Sequence, residues 1–398
     1  MVDSFIPHIR FKMCKNQWEK NKLSKLAKFN PKSTLPEKFK YVDLESVLGT
    51  DLISYREVSR ENAPSRAQRL AQKGDIFYQT VRPYQKNNYL FDSNEKDYVF
   101  STGYAQLRPL IDSAFLLARL QEESFVNMVL ERCTGTSYPA INSKDLSKIS
   151  VTIPQTIEEQ SAIGSLFRTL DDLLISYKDN LANYQSLKST MLSKMFPKAV
   201  QTIPEIRLKG FEGEWEIKKF KSISTKRGKT NSKGYDYPAY SVSNQSGLIP
   251  QSEQFEGSRL KNLEKTSYKT VGPNEFAYNP ARINVGSIAF NDIEETVIVS
   301  SLYVIFSLDK SINNNYALLF IKSPEFNKEV RRNTEGSVRE YLFYENFANI
   351  RIPIPPSLEE QQAIGSYFSN LDNLIVAHQE KISQLETLKK KLLQDMFV

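Results

Sequence analysis

The sequence predicts an α/β protein: two similar mixed α/β domains joined by two long helices that form an antiparallel coiled coil, a pseudo-twofold internal repeat. Three observations carry this expectation. IPQTIEEQSAIGSLFRTLD, starting at Ile153, returns as IPPSLEEQQAIGSYFSNLD, starting at Ile354. Residues 153–196 and 354–397 align without a gap at an offset of 201, with 18 of 44 pairs identical. The register also extends outward, because Asp112, Phe125, Val129, Gly135, Leu146 and Ile149 fall opposite Asn313, Phe326, Val330, Gly336, Phe347 and Ile350. At the front, PHIRFKMCKNQWEKNKL from Pro7 matches PEIRLKGFEGEWEIKKF from Pro204 at an offset of 197, pairing Trp18 with Trp215. A duplicated unit of this size is a domain plus a connector and too long for a solenoid repeat.

The expected bounds are residues 1–152 for the first domain, 153–200 for the first connector helix, 201–353 for the second domain and 354–398 for the second connector helix. In the domains, KGDIFYQTV (73–81), ISVTIP (149–154), TVIVSSLYVIF (296–306) and IRIPIP (350–355) read as strands. Residues 112–133 and 314–333 read as helices that stop near Gly135 and Gly336. Residues 40–100 and 220–295 share little beyond hydrophobic texture, so two scaffolds of one design are expected to hold different working surfaces.

Each connector starts with a capping box, Thr156 to Glu159 and Ser357 to Glu360, after Pro154 and after Pro355 and Pro356. Heptad spacing follows: Leu170, Tyr177, Tyr184 and Met191 with Leu173, Leu174, Leu181 and Leu187, then Leu371, Leu385 and Leu392 with Leu374, Ile375, Ile382 and Leu388, interrupted at His378. Gly164 and Gly365 sit in the first turns, where glycine costs about 1 kcal/mol against alanine, which suggests a close helix contact. A helix of about 40 residues, on the order of 60 Å long, cannot bury its stripe within a small domain, so the two helices are natural partners.

Composition narrows the chemistry. The chain has 398 residues, a formal charge of +7, two cysteines and two histidines. Cys14 and Cys133 form no disulfide framework, and with His8 and His378 they are too few for a histidine triad or a zinc hydrolase site. No stretch is long and apolar enough to span a bilayer, and the amino terminus lacks a signal-peptide core, so a cytoplasmic location is expected. Positive charge clusters locally: residues 1–40 hold ten Lys or Arg against three Asp or Glu, and residues 218–233 hold seven basic residues and no acid. Such clusters suit a polyanion or, as the alternative, a solvated basic face.

The opening Ile-Arg-x-Lys to Trp-Glu of each half, VRPY (81–84), STGYAQLRP (101–109), GTSYPAINSKDLSKI (135–149), YNPARINVGSIA (278–289) and the two EEQxxIG segments together resemble the specificity subunit of type I restriction-modification systems over essentially the whole chain. The resemblance implies two target recognition domains, each reading half of a split double-stranded DNA sequence, held by an antiparallel pair of helices. It also implies a non-catalytic chain that recruits two methyltransferase subunits and, in the full complex, two restriction (motor-nuclease) subunits. On that reading S-adenosylmethionine belongs to the methyltransferase partner and ATP with Mg to the restriction partner, with no cofactor in this chain. A subunit of a methyltransferase-only or type II-like system is the near alternative.

Reading bases requires donors and acceptors projected into a groove, with Arg or Lys suited to guanine and Asn or Gln to adenine. Arg82, Tyr84, Lys86 and Asn87 are the candidates of the first half, joined by Tyr138 from the GTSYPAIN segment, and Tyr278, Asn279, Arg282 and Asn284 those of the second. Lys226, Arg227 and Lys229 are candidates for phosphate contacts, which position without specifying. The same residues also suit loops with structural Asn and ion-paired Arg. A stand-alone methyltransferase fits poorly, because Asn279-Pro280 continues as Ala281-Arg282 without the second proline and the aromatic that stacks on a flipped base. A coiled-coil scaffold without DNA contact leaves the basic clusters and divergent middles unexplained.

Overall fold

The repeated segment encodes a junction between a domain and its helix. In the computed structural model, which describes residues 6–12, 14, 16–135, 137–198, 201–244, 247–254, 265–333 and 341–397, two units form. One holds residues 1–180 with 378–398, the other residues 181–377. Gly336, the expected helix stop of the second half, lies outside the described residues.

In the first unit Glu19–Lys22 pairs antiparallel with Ser150–Ile153, closing the domain with its first and last strands. A four-stranded sheet runs in the order Ala27–Phe29, Tyr104–Pro109, Ile76–Gln79, Tyr89–Leu90. A second runs Arg56–Ser59, Lys38–Val42, Tyr98–Ser101, Ala67–Leu70. Phe77 and Phe100 join the two sheets, their rings stacked with centroids 3.6 Å apart. Helices Ser113–Gln121, Glu123–Leu130 and Ser143–Lys148 cover the core around Trp18, Phe115 and Phe125.

The second unit repeats the frame. Glu216–Lys219 pairs with Arg351–Ile354, and a sheet runs Ser224–Arg227, Val304–Leu308, Phe276–Tyr278, Ile288–Phe290. In place of a second four-stranded sheet, its described residues form two ribbons, Tyr240–Ser243 with Gly247–Pro250 and Lys269–Val271 with Val297–Val299. The expected strand at 296–306 is therefore two strands, split by a turn in which the Tyr303 amide donates to the Ser300 carbonyl at 3.0 Å. The expected long helices are split too. Glu122 is extended, and its carboxylate caps the next helix by accepting from the amides of Ser124 (2.7 Å) and Phe125 (3.1 Å). Asn314–Ile321 likewise gives way to a new helix starting at Pro324, which lacks the N–H needed to continue the first.

At each junction the same residues do the same work. Buried Glu159, in the first turn of the helix Ile157–Lys194, accepts from Arg10 Nε (2.6 Å), Arg10 Nη2 (2.8 Å) and Trp18 Nε1 (3.2 Å). Glu360, at the start of the helix Leu358–Asp395, accepts from Arg207 Nε (2.7 Å) and Nη2 (2.8 Å). The capping boxes are thus half formed. The Glu159 amide reaches Thr156 Oγ1 (3.4 Å) and the Glu360 amide Ser357 Oγ (3.2 Å), while both glutamate side chains turn to the arginines. Gln160 and Gln361 accept from the amides of Asp112 (3.3 Å) and Asn313 (2.8 Å), the caps of the domain helices. The close contact expected of the glycines is present: a Cβ on Gly164 would lie 2.6 Å from Asp112 Oδ1 and 2.7 Å from the Phe115 nitrogen, one on Gly365 3.1 Å from Asn315 Cβ.

The long helices have 38 residues each, about 57 Å at 1.5 Å per residue. In the first unit Asp171 pairs with Lys389 and Lys178 with Glu386 (2.9 Å), so one numbering rises as the other falls and the pairing is antiparallel. In the second unit Lys188 pairs with Asp372 in the same sense. A single helix pair buries one narrow seam: Leu170, Leu174, Leu371 and Leu385 are buried, whereas Leu173, Leu187, Leu374 and Leu388, expected in the stripe, remain exposed. Each unit is finished by the tail of a long helix. Phe397 packs against Trp18 and Phe167 at centroid distances of 6.1 and 5.8 Å, and Phe196 against Tyr316 and Phe320 at 5.6 Å.

Candidate nucleic-acid interface

Each unit presents one loop from the same place in its sheet. At a constant offset of 200, the strand entering the loop (Ile76–Gln79 or Phe276–Tyr278) is preceded by a turn with a left-handed residue, Gly74 (φ 90°) or Asn274 (φ 63°). The following acid closes the turn, Asp75 accepting from the Gln72 amide (2.9 Å) and Glu275 from the Gly272 amide (2.8 Å). The strand then buries Tyr78 or Tyr278 completely. Next comes Arg82 or Arg282, a single 3-10 turn (Pro83–Gln85 or Ile283–Val285) and a left-handed cap, Lys86 (φ 55°) or Gly286 (φ 90°). The returning strands pair Ile76 with Leu90 and Phe276 with Phe290. A distant segment braces each loop, the Ile141 amide donating to the Thr80 carbonyl (3.0 Å) and the Leu342 amide to that of Pro280 (2.9 Å). The middles of the two halves, expected to share little, thus share a backbone frame that hydrogen bonds preserve while side chains change.

In the first loop Arg82 lies over the Tyr138 ring, 4.4 Å from its centroid, a cation–π contact that restrains the guanidinium. Tyr84 and Tyr138 are 49% and 63% exposed. Lys86 is ion-paired with Glu123 (2.5 Å), and Asn87 Oδ1 accepts from the Gly49 amide (2.8 Å), tying the loop to the hairpin Val47–Leu48/Asp51–Leu52. Arg82 and Lys86 are both left-handed non-glycine residues, conformations that cost of order 1–2 kcal/mol and concentrate at working sites.

In the second loop Arg282 and Asn284 are exposed. Asn279 is half-buried and Oδ1 accepts from the Ala281 amide (3.0 Å), so it shapes the turn. Tyr278 is a correction. It is fully buried, its hydroxyl donates to the Leu342 carbonyl (3.0 Å), and burial pushes its pKa well above the usual tyrosine range, so it is a core residue that cannot touch DNA. Among the phosphate candidates, Lys226 pairs with Glu345 (2.7 Å) and Arg227 donates to Ser307 Oγ (3.0 Å) beside Glu275, while Lys229 is exposed. Arg227 therefore serves partly as the counter-charge that Arg108 supplies to Asp75 in the first unit through bonds of 2.8 Å.

Exposed at the same loops, though not among the sequence candidates, are Gln85 and Val285, at matched places in the 3-10 turns, and the aromatics Tyr341 and Phe343 flanking buried Leu342. Tyr341, Leu342 and Phe343 are all apolar or aromatic, so no change of polarity in the sequence marks which of them face outward. Among the described residues no group of three or more His, Cys, Asp or Glu side chains could hold a metal ion, and no helix is long and apolar enough to cross a membrane.

Residues 15–183 and 212–387 match the family model described as the type I restriction modification DNA specificity domain. The chain is 24% identical over 321 residues to the type I restriction enzyme MjaVIII specificity subunit of Methanocaldococcus jannaschii, covering 72% of this chain and 70% of that protein. It is 30% identical over 139 residues to the HindI specificity subunit of Haemophilus influenzae, 33% of this chain and 30% of that one. Its fold is similar to the type I restriction-modification S subunit from M. genitalium, with a TM-score of 0.63 over 98% of this chain and 99% of the other at 15% identity. A chain from a structure of type I R-M complex assembly matches with a TM-score of 0.51 and 20% identity, over 94% of this chain and 96% of that one. With two copies of the domain spanning most of its length, the chain belongs to the type I restriction-modification DNA specificity family.

Proposed function

We propose that this chain reads a bipartite DNA target for a type I restriction-modification assembly, with residues 1–152 and 201–353 as separate readers and the long helices as spacer. The observation that carries this reading is the pair of matched loops, which place Arg82 and Arg282 at the same point of the same frame and surround them with unlike side chains. Tyr84, Lys86 and Asn87 accompany the first arginine, Tyr138 restrains it, and Asn284 accompanies the second. Lys226 and Lys229 suit phosphate positioning. Chemistry resides in the partners: two methyltransferase subunits supply S-adenosylmethionine-dependent transfer, and two restriction subunits supply ATP-driven cleavage.

The test measures methyl transfer and duplex binding by the purified chain, alone and with its cognate methyltransferase. The chain alone is expected to transfer no methyl groups, and the complex to methylate one split sequence. Binding should weaken steeply with salt, as phosphate neutralisation requires. Methyl transfer by the rigorously purified chain alone, or salt-independent binding, would contradict the assignment.

A further inference from the structure

At four positions around the second loop, exposed apolar side chains stand where the first loop, which exposes Tyr84 and Tyr138 elsewhere, has small or polar residues. Val285 is 55% exposed, Leu302 75%, Tyr341 43% and Phe343 54%. All four lie at one end of the unit's sheet. Val285 is in the loop's 3-10 turn, and Leu302 lies two residues before Val304, which pairs with Tyr278 at the point where the loop departs. Tyr341 and Phe343 flank Leu342, whose amide and carbonyl bond Pro280 and Tyr278. Their rings are near parallel, 10° apart in plane with centroids at 5.9 Å. The matched positions in the first unit are Gln85, Gly103, Ala140 and Asn142.

Phe343 also breaks a local rule. Asn142 and Phe343 are the N-cap residues of matched helices, Ser143–Lys148 and Tyr344–Phe347. Asn142 accepts from the Asp145 amide (2.8 Å), whereas Phe343 makes no cap bond and keeps its ring in water. An exposed phenylalanine at a position that favours Asn, Asp or Ser has no local structural reason.

We infer that this apolar cluster, led by Tyr341 and Phe343, is a specificity element of the second reader that contacts thymine methyl groups in the major groove. The C5-methyl of thymine is the apolar feature of the groove edge, and aromatic and aliphatic side chains recognise it by contact. The cluster adjoins Arg282, which is two residues from the braced Pro280. The second half-site therefore contains thymine read by its methyl group. This inference rests on the proposed DNA-reading role of the loop.

The experiment uses the chain assembled with its cognate methyltransferase and duplexes carrying the target found by sequencing of methylated sites. Thymines are replaced by deoxyuridine, which removes only the methyl. Substitution in the second half-site should weaken binding about fourfold per contacted methyl, the worth of one buried methyl carbon. The same change in the first half-site, where the matched positions are Gln85, Gly103, Ala140 and Asn142, should weaken binding less. Tyr341→Ala with Phe343→Ala should bind the parent duplex more weakly and lose its response to deoxyuridine, and Phe343→Asn, which restores the cap, should do the same in part with the fold intact. Unchanged binding to the deoxyuridine duplex, a second half-site without an A·T pair, or full affinity in the double variant would each overturn the inference. Arg282→Ala separates the two levels: its loss of binding without a deoxyuridine response sinks the methyl contact alone, and its full affinity sinks the loop as reader.

Discussion

The first loop carries an ion-paired lysine and two exposed tyrosines, the second a glycine and exposed aliphatic and aromatic neighbours, yet both hang from one frame. Lys86 is held by Glu123 where the second unit has Gly286, whereas Asn87, which accepts from the Gly49 amide, is matched by buried Ser287, whose hydroxyl donates to the Val242 carbonyl (3.3 Å). The difference teaches that the frame is maintained by backbone hydrogen bonds, a buried tyrosine and a turn-closing acid, none of which restricts what the 3-10 turn displays. Recognition can diverge in such a loop without cost to the core. The junctions behave in the opposite way, because Arg10 and Arg207, Glu159 and Glu360, Gln160 and Gln361, and Gly164 and Gly365 are identical pairs engaged in buried contacts.

The largest effects should follow from breaking the junctions. Glu159→Ala and Glu360→Ala each strip a largely buried arginine of its partner, and each should destabilise its own unit by about 3–5 kcal/mol. The first should cost about 1 kcal/mol more, because Trp18 also loses its bond, whereas Trp215 Nε1 has no partner among the described residues. Trp18 and Trp215 are the chain's two tryptophans, so denaturant unfolding followed by fluorescence, with one replaced by Phe at a time, reads each unit separately. Equal loss in both units from either variant would break the comparison.

Next are the arginines of the loops. Arg82→Ala and Arg282→Ala should each weaken binding by about 1–3 kcal/mol and relax one base position of one half-site. A change confined to the salt slope, with sequence preference intact, would reassign them to phosphate.

The junction glycines give unequal effects. Gly164→Ala forces a Cβ against Asp112 and the Phe115 backbone and should destabilise by about 1–3 kcal/mol. Gly365→Ala meets mainly Asn315 Cβ at 3.1 Å, and helix propensity worth up to about 1 kcal/mol offsets that contact, so it should lie near neutral. Thermal melts of the two variants compare them directly. Phe343→Asn has the opposite sign and should stabilise the fold by about 1 kcal/mol through the restored cap, read as a raised melting temperature.

The repeat, the antiparallel helices and the family resemblance were legible because identical residues recur at a constant offset and each long helix follows its own copy of the domain. The matched loops were not legible, since in 73–91 and 273–291 only Tyr78 with Tyr278 and Arg82 with Arg282 are identical, and the frame lives in backbone bonds that no side chain announces. Tyr278 was misread for a related reason. A tyrosine beside Asn279 and Arg282 suggests a polar surface, but a strand residue one position before the loop still faces the core. The breaks at Glu122 and Pro324 show local capping prevailing over an unbroken apolar period.

The central claim is that each loop reads one half-site independently, and sequencing of the sites methylated by complexes carrying Tyr84→Ala or Asn284→Ala tests it most directly. Both side chains are exposed at matched positions of their 3-10 turns, so the fold should be retained. The account predicts that Tyr84→Ala relaxes only the half-site read by the first unit and Asn284→Ala only the other, with the gap between them unchanged. Relaxation of both half-sites by either variant, or an unchanged target for both in active complexes, would contradict it.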